Sequence, residues 1–174
     1  MSEKFIPEHV DPFRLAEQNL HLDGTAKLID MHRLNATRPH ADDKERVAVN
    51  LHFGVDEQGL TYLKGHLQAH VNLQCQRCLE QFTYEIISDF ALGIVRTLDE
   101  EKALPEQYEP AMVQEGQLAL RELIEDELLL NLPIIPRHEP EECKVKLPLA
   151  DSGWEESKGE NPFQVLKALK DKHK

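Results

Sequence analysis

The chain has 174 residues, of which 40% are hydrophobic and 30% charged, and its formal net charge is −12. This length suits one ordinary domain with a real core, and the composition is neither collagen-like nor that of a wholly disordered protein. The most apolar stretch, residues 128–135, is interrupted by Asn131 and Pro133 and is too short to span a bilayer. The first residues carry acidic groups and proline where a signal peptide needs a basic start and an apolar run. We therefore expect a cytoplasmic protein without a membrane segment.

The negative charge is concentrated in one part of the sequence. Residues 97–160 contain 17 acidic and 6 basic residues, a local net of −11, and the rest of the chain sums to −1. A protein that grips RNA directly usually presents a basic face. The acidic region is thus interpreted either as the surface that holds a basic partner protein or as a merely solubilising surface.

The first predicted elements are short. Asp11 and Pro12 are typical of the cap and first position of a helix, which we place at residues 11–18. Apolar residues then follow a two-residue period over residues 20–28, with one interruption, and this predicts one or two short strands. The polar stretch from Arg33 to Arg46 is predicted to be a loop.

The strongest pattern is a strict alternation of apolar and polar residues in three segments, 47–53, 63–73 and 82–94. Such alternation indicates strands with one buried face and one wet face, as in antiparallel sheets. Short connections imply a meander. The length of the last two strands favours a curved sheet, either open or closed into a partial barrel.

The chain changes character after Thr97. An acidic stretch rich in proline is predicted to be a surface loop, and residues 117–131 are predicted to form an amphipathic helix. Its apolar stripe would contain Leu120, Leu123, Ile124 and Leu128, and its wet face Arg121, Glu122, Glu125 and Asp126.

Periodicity is lost beyond Pro136. Residues 137–160 are predicted to be an acidic, flexible and partly disordered stretch. Asn161 and Pro162 then begin a last helix that ends in a lysine-rich tail. The sequence thus predicts an α+β fold: a main domain at 1–136, with a curved antiparallel sheet and two to three packed helices, a flexible segment at 137–160, and a C-terminal helix with a basic tail at 161–174.

A pair of cysteines, Cys75 and Cys78, lies at the predicted turn between two long strands. Two cysteines with this spacing can point at one metal ion, as in the knuckles of zinc ribbons. His138 and Cys143 would complete a Cys₃His site if their segment folds back onto the turn. A redox pair and thiols that only shape the turn are the alternatives, and no strand-to-helix step supports the redox interpretation. From the sequence we predict little or no tightly bound zinc.

Patterns that carry catalysis are missing from the sequence. His52, His66 and His70 alternate with apolar residues and should lie on the wet face of the sheet, the last two about 13 Å apart. There is no glycine-rich phosphate loop, nucleophile elbow or His-Glu-x-x-His helix. The run Glu125–Glu127 is interpreted as a solvated helix face, because consecutive helical positions diverge. We expect no enzymatic activity, no cofactor and no small-molecule substrate.

Four segments resemble one family in the same order: VNLQCQRCLEQFTYEI, ALPEQYEP, LRELIEDELLLNLPIIPRHEPEEC and NPFQVLKALK. They are similar to the large ribosomal RNA subunit accumulation proteins, the YceD family, and the similarity runs from about Pro12 to Lys170. The resemblance implies a cytoplasmic factor needed for normal synthesis, processing or stability of 23S ribosomal RNA, with no known enzymatic activity. Some relatives have a second cysteine pair downstream, where this chain has only Cys143. The family's motif residues fall here on Cys75, Arg77, Cys78, Asn161, Pro162 and Phe163.

The function predicted from the sequence is that of a non-enzymatic ribosome-biogenesis factor. Its expected partners are ribosomal RNA or large-subunit assembly proteins, reached through a basic protein partner. Arg77 at an exposed tip and lysines of the tail, including Lys167 and Lys170, are candidates to contact RNA phosphates. Two alternatives remain open: a zinc-dependent protein adaptor, and an rRNA-processing hydrolase, which would need clustered carboxylates or a histidine beside a nucleophile.

Overall fold

The computed structural model of the protein describes residues 4–38 and 41–145. Its strands are β1 (His9–Val10), β2 (His21–Lys27), β3 (Arg46–Val55), β4 (Thr61–Gln74), β5 (Gln81–Val95), β6 (Glu109–Met112) and β7 (Leu118–Ala119). Its helices are α1 (Pro12–Glu17), α2 (His32–Ala36), α3 (Leu98–Lys102) and α4 (Leu120–Leu130), with a 3-10 turn at Leu28–Asp30. Among these helices none is long and apolar enough to cross a membrane.

The main sheet has five strands in the order β2-β3-β4-β5-β6. The first four form the predicted antiparallel meander. The last strand, β6, pairs with β5 in parallel, with Leu92 opposite Glu109. A parallel pair needs a crossover, which the segment containing α3 supplies. The α+β prediction is confirmed, and the described strands form an open sheet rather than a closed barrel.

The alternating pattern places one face of the sheet in the core. Val47, Leu51 and Phe53 of β3 are fully buried, whereas the intervening Ala48 and Asn50 are exposed. The apolar stripe of α4 packs into the same core, and its residues Leu120, Ile124 and Leu128 are fully buried. The helix and the three long strands therefore share one hydrophobic core.

The predicted N-terminal helix is also confirmed. The Asp11 carboxylate accepts hydrogen bonds from the backbone amides of Phe13 and Arg14, both at 3.1 Å, and Pro12 occupies the first helical position. The chain before it forms β1, which pairs with β7 directly ahead of α4. This small second sheet places the start of α1 near the start of α4.

The stretch from Arg33 to Arg46 is not simply the predicted loop, because it contributes to α2 and to a buried ion pair. The Arg38 side chain is fully buried, and its Nη1 lies 2.5 Å from Oε2 of Glu45. The same guanidinium donates to the side-chain oxygen of Asn35. Asn35, Arg38 and Glu45 therefore satisfy one another inside the protein instead of pointing to water.

The wet face predicted for α4 is wrong at Glu125, and the solvated interpretation of the acidic run is wrong at Glu127. Both side chains are buried. Glu125 accepts hydrogen bonds from the backbone amides of Arg33 at 2.6 Å and Leu34 at 3.0 Å, and so caps the first turn of α2. The residue at the cap position of α2, Met31, has no side-chain oxygen to do this. The carboxylate of another helix takes its place.

The described residues up to Lys144 form one compact unit. The segment 137–144, part of the stretch predicted to be flexible, lies within this unit, and Cys143 is buried. The predicted C-terminal helix with its tail, including Asn161, Pro162, Phe163, Lys167 and Lys170, lies outside the described residues.

Candidate functional site

The turn between β4 and β5 forms a tight knuckle. The two strands pair up to Gln74 and Gln81, which leaves six residues to reverse the chain. The Cys75 amide donates to the Glu80 carbonyl at 2.8 Å, and the Leu79 amide donates to the Cys75 carbonyl at 2.9 Å. Leu79 has a φ of 62°, a left-handed conformation that lets the chain turn sharply after Cys78.

A second turn, from Pro136 to Cys143, packs against this knuckle. The Gln76 amide donates to the Pro136 carbonyl at 2.8 Å, which joins the two segments through the backbone. The Cys143 amide donates to the Glu139 carbonyl at 3.1 Å, so the second segment is itself turned. The fold-back that a four-ligand site requires is therefore present.

The two turns bring four metal-ligating side chains together. The sulfur atoms of Cys75, Cys78 and Cys143 and a ring nitrogen of His138 all lie within 4.8 Å of one another. Cys78 Sγ and His138 Nδ1 lie 3.3 Å apart. Within the ranges that the structure describes, no other group of His, Cys, Asp or Glu side chains is arranged to hold a metal ion. We call these four residues the Cys₃His cluster.

The surroundings of the Cys₃His cluster shift the pKa values of Cys75 and Cys78 in opposite directions. Burial raises the pKa of the Cys75 thiol, but hydrogen bonds, chiefly from three nearby backbone amides, lower that pKa to about 5. At Cys78 a backbone hydrogen bond at Glu80 lowers the pKa, while burial and the two neighbouring thiols raise it by more. The hydrogen bonds at Cys75 therefore favour its thiolate, and thiolate is the form of cysteine that binds metals.

Arg77 faces the Cys₃His cluster. Its Nε donates to Cys143 Sγ at 2.9 Å, and its backbone amide donates to Cys75 Sγ at 3.4 Å. Its Nη2 is buried and has no hydrogen-bond partner in the described part of the protein. Arg77 was expected at an exposed tip, but it is half-buried because the segment ending in Cys143 covers it.

The ring of His138 packs against Phe82. The two ring centroids lie 4.9 Å apart with their planes tilted by 42°. Phe82 is opposite Leu73 in the paired strands, so it stands directly below the knuckle. This contact holds the imidazole next to the three sulfur atoms.

A separate acidic cleft of about 770 Å³ lies between the end of the sheet and α4. Three of its carboxylates, on Glu109, Glu115 and Glu122, are exposed and form no ion pair with any described residue. Sequence reasoning located the acidic region but not these residues, because the parallel pairing of β6 and the turn before β7 bring them together. The carboxylates lining this acidic cleft are Glu109, Glu115, Glu122, Asp126 and Glu127.

The three sheet histidines lie on the outer face, as predicted, and do not converge. His66 Nδ1 lies 2.7 Å from a carboxylate oxygen of Asp89, and His70 Nε2 lies 3.6 Å from one of Glu85. His52 stacks on His21 with ring centroids 4.0 Å apart. Burial, together with the neighbouring His21 and Lys64, lowers the pKa of His52. None of the three contacts a nucleophilic side chain in these interactions.

Comparisons with known proteins agree on one family. The family described as "Large ribosomal RNA subunit accumulation protein YceD" matches residues 63–170. The chain is 35% identical over 176 residues to a protein of Haemophilus influenzae (strain ATCC 51907 / DSM 11121 / KW20 / Rd) named "Large ribosomal RNA subunit accumulation protein YceD". That alignment covers 99% of this chain and 100% of the relative. No solved structure matches the chain.

Proposed function

This chain belongs to the YceD family of large ribosomal RNA subunit accumulation proteins, and from that premise we propose that it supports the accumulation of 23S ribosomal RNA without catalysing a reaction. The observation that carries the proposal is the full-length similarity to a relative with that name. The proposed role is to hold a component of the immature large subunit.

The non-enzymatic part of the proposal is supported by the chemistry of the described side chains. A hydrolase of RNA needs a metal-binding carboxylate cluster or a histidine beside a nucleophile. The outer-face histidines His66 and His70 contact carboxylates instead. In the acidic cleft, Asp126 pairs with Arg33 at 2.5 Å, and the buried Glu127 accepts a hydrogen bond from Ser88.

We further propose that the direct partner is a basic protein segment, which binds the acidic cleft. Exposed carboxylates repel phosphate and attract lysine and arginine, so charge selects protein over bare RNA at this surface. Glu109, Glu115 and Glu122 supply three unpaired negative charges along one cleft. A cleft of about 770 Å³ is large enough for several side chains of an extended segment.

Gene deletion tests the proposed role. We expect a strain that lacks this protein to contain less 23S RNA relative to 16S RNA, and a plasmid copy to restore the ratio. Quantitative separation of total RNA during growth gives the measurement. Equal ratios in the deletion and parent strains would remove the proposal.

Co-precipitation tests the partner. The variant Glu109→Lys/Glu115→Lys/Glu122→Lys should recover less large-subunit protein from growing cells than the unchanged chain. The matched control Glu17→Lys/Asp30→Lys/Glu57→Lys reverses three exposed charges elsewhere and should recover as much as the unchanged chain. Equal recovery by both variants would mean that the cleft is only solvated surface. Tight, salt-sensitive binding of naked 23S RNA by the unchanged chain would contradict the choice of a protein partner.

A further inference from the structure

We propose that the Cys₃His cluster binds one structural Zn²⁺, which fastens the segment 136–143 to the knuckle between β4 and β5, and that Arg77 neutralises the resulting charge. The inference rests on the geometry of the cluster and does not depend on the proposed function. It reverses the prediction made from the sequence, which could not show that the segment around His138 folds back.

The spacing of the four ligand atoms fits a tetrahedral site. With metal bonds of about 2.3 Å to sulfur and 2.0–2.1 Å to nitrogen, tetrahedral ligands lie roughly 3.5–3.8 Å apart. The four atoms here are all within 4.8 Å of one another, and Cys78 Sγ lies 3.3 Å from His138 Nδ1. Small side-chain movements would therefore bring all four atoms into bonding distance.

The donor set selects zinc and a structural role. Three thiolates and one imidazole are soft and borderline ligands, which suit Zn²⁺ rather than Mg²⁺ or Ca²⁺. Four protein ligands complete the coordination sphere and leave no position for a water molecule or substrate. Cys75 and Cys143 are 0% and 1% exposed, so the metal would be shielded from solvent on that side.

The local backbone already supports bound thiolates. The Arg77 amide donates to Cys75 Sγ at 3.4 Å, and the Arg77 Nε donates to Cys143 Sγ at 2.9 Å, so both sulfur atoms face positive dipoles or charge. In metal sites, hydrogen bonds from residues that are not themselves ligands orient the ligands and adjust the affinity for the metal. The knuckle is thus built to carry negative charge, which a turn of neutral thiols would not require.

Arg77 supplies the charge balance. Three thiolates and one Zn²⁺ leave a net charge of −1, and the guanidinium supplies +1 at 2.9 Å from Cys143 Sγ. A guanidinium with a buried Nη2 that lacks a partner is costly beside neutral thiols, because a buried charge needs a counter-charge. The same placement is favourable beside an anionic zinc–thiolate centre. Arg77 is therefore a positioning residue, not a ligand.

The metal would close a long loop. Cys143 meets Arg77 across 66 residues of sequence, and the segment that carries it has little regular structure of its own. Binding free energy at a structural site becomes folding free energy, because the site does not exist in the unfolded chain. Removal of the metal should therefore release the segment 136–143 before the sheet unfolds.

The main test is the metal content of the full-length chain, purified without a histidine tag and reloaded with Zn²⁺ under reducing conditions. We expect one zinc per chain by elemental analysis. Co²⁺ in place of zinc should give the intense visible absorption of a tetrahedral site and a near-ultraviolet band from sulfur. A zinc content near zero after reloading, with no cobalt spectrum, would overturn the proposal and leave the proposed function intact.

Matched variants assign the ligands. Cys143→Ser and His138→Ala should reduce zinc affinity at least 100-fold, whereas His66→Ala, which removes a histidine from the outer sheet face, should leave it unchanged. If a variant does not fold, the cobalt spectrum of the unchanged chain still decides whether three thiolates bind. Full zinc retention by both Cys143→Ser and His138→Ala would contradict the assignment.

The role of Arg77 has its own readout. Arg77→Leu should weaken zinc binding about 10- to 100-fold, as loss of outer contacts commonly does, and Arg77→Lys should recover part of that loss because it keeps the charge. The cobalt spectrum should remain tetrahedral in both, since no ligand changes. Equal zinc affinity in all three proteins would rule out the charge-balancing role.

Discussion

Glu125 illustrates how a single side chain couples two helices. Its carboxylate accepts two backbone hydrogen bonds at the start of α2, and the Arg33 Nε donates to it at 3.2 Å. It therefore caps the N-terminus of α2 while belonging to α4. A helical wheel drawn from the sequence places Glu125 on the wet side of α4, because no local signal shows that α2 lacks a capping side chain.

We predict that Glu125→Ala lowers the free energy of unfolding by about 2 kcal/mol, because two backbone amides and a guanidinium lose a charged acceptor. Glu122→Ala, one turn away and exposed, is the matched control and should change it by less than about 0.5 kcal/mol. Urea unfolding followed by circular dichroism measures both. Similar small effects for the two variants would contradict the capping role.

Glu127 provides a prediction about pH. Burial raises the pKa of this carboxyl, and the nearby Glu109 and Asp126 raise it further, against the opposing hydrogen bond from Ser88. Between the ordinary pKa of glutamate and this raised value, the folded state holds more protons than the unfolded state. Stability therefore falls as the pH rises through that window.

Glu127→Gln should remove this slope. The variant should be more stable than the unchanged protein at pH 7 and about equally stable below about pH 4, where glutamate is protonated in both states. Urea unfolding at several pH values between 4 and 7 gives the comparison. A variant that is less stable at pH 7 would show that the charged form of Glu127 is the favourable one.

At the scale of elements, the sheet was the easiest part to predict. Alternation over 47–53, 63–73 and 82–94 follows directly from a sheet with one buried face, and all three became long paired strands. The parallel edge strand β6 could not be predicted, because its four residues carry no period and its partner is chosen by the crossover through α3. The knuckle was predictable from Cys75 and Cys78, but its contact with Cys143 was not.

Gly65 allows a close contact within the sheet. A Cβ atom at this position would lie 2.0 Å from Cζ of the Phe90 ring, which covers the glycine on the neighbouring strand. A glycine inside a strand often marks such an approach. The ring fills the space that other residue types would occupy with their own side chains.

We predict that Gly65→Ala destabilises the protein by about 1–3 kcal/mol, because the ring must move within a packed core. The double variant Gly65→Ala/Phe90→Leu should lose less than the sum of the two single variants, since the smaller side chain leaves room for the methyl group. Thermal or urea unfolding of the four proteins measures the coupling. Strict additivity would show that the ring is not what excludes a side chain.

At the scale of the whole molecule, the acidic cleft and the Cys₃His cluster differ in their charge and in their exposure to solvent. The acidic cleft presents unpaired carboxylates, whereas the Cys₃His cluster is half-buried and held by Arg77. Composition alone predicted an acidic region that repels RNA. It could not distinguish the exposed Glu109, Glu115 and Glu122 from the internally used Glu125 and Glu127, because only the fold decides which carboxylates remain free.

Complementation of the deletion strain shows whether the acidic cleft serves the accumulation of 23S RNA. The ratio of 23S to 16S RNA is measured with the unchanged chain, with Glu109→Lys/Glu115→Lys/Glu122→Lys and with Glu17→Lys/Asp30→Lys/Glu57→Lys, all at equal protein levels. We expect the unchanged chain and the second variant to restore the ratio and the cleft variant to leave it low. Full restoration by the cleft variant would show that the acidic cleft is not needed for 23S RNA accumulation.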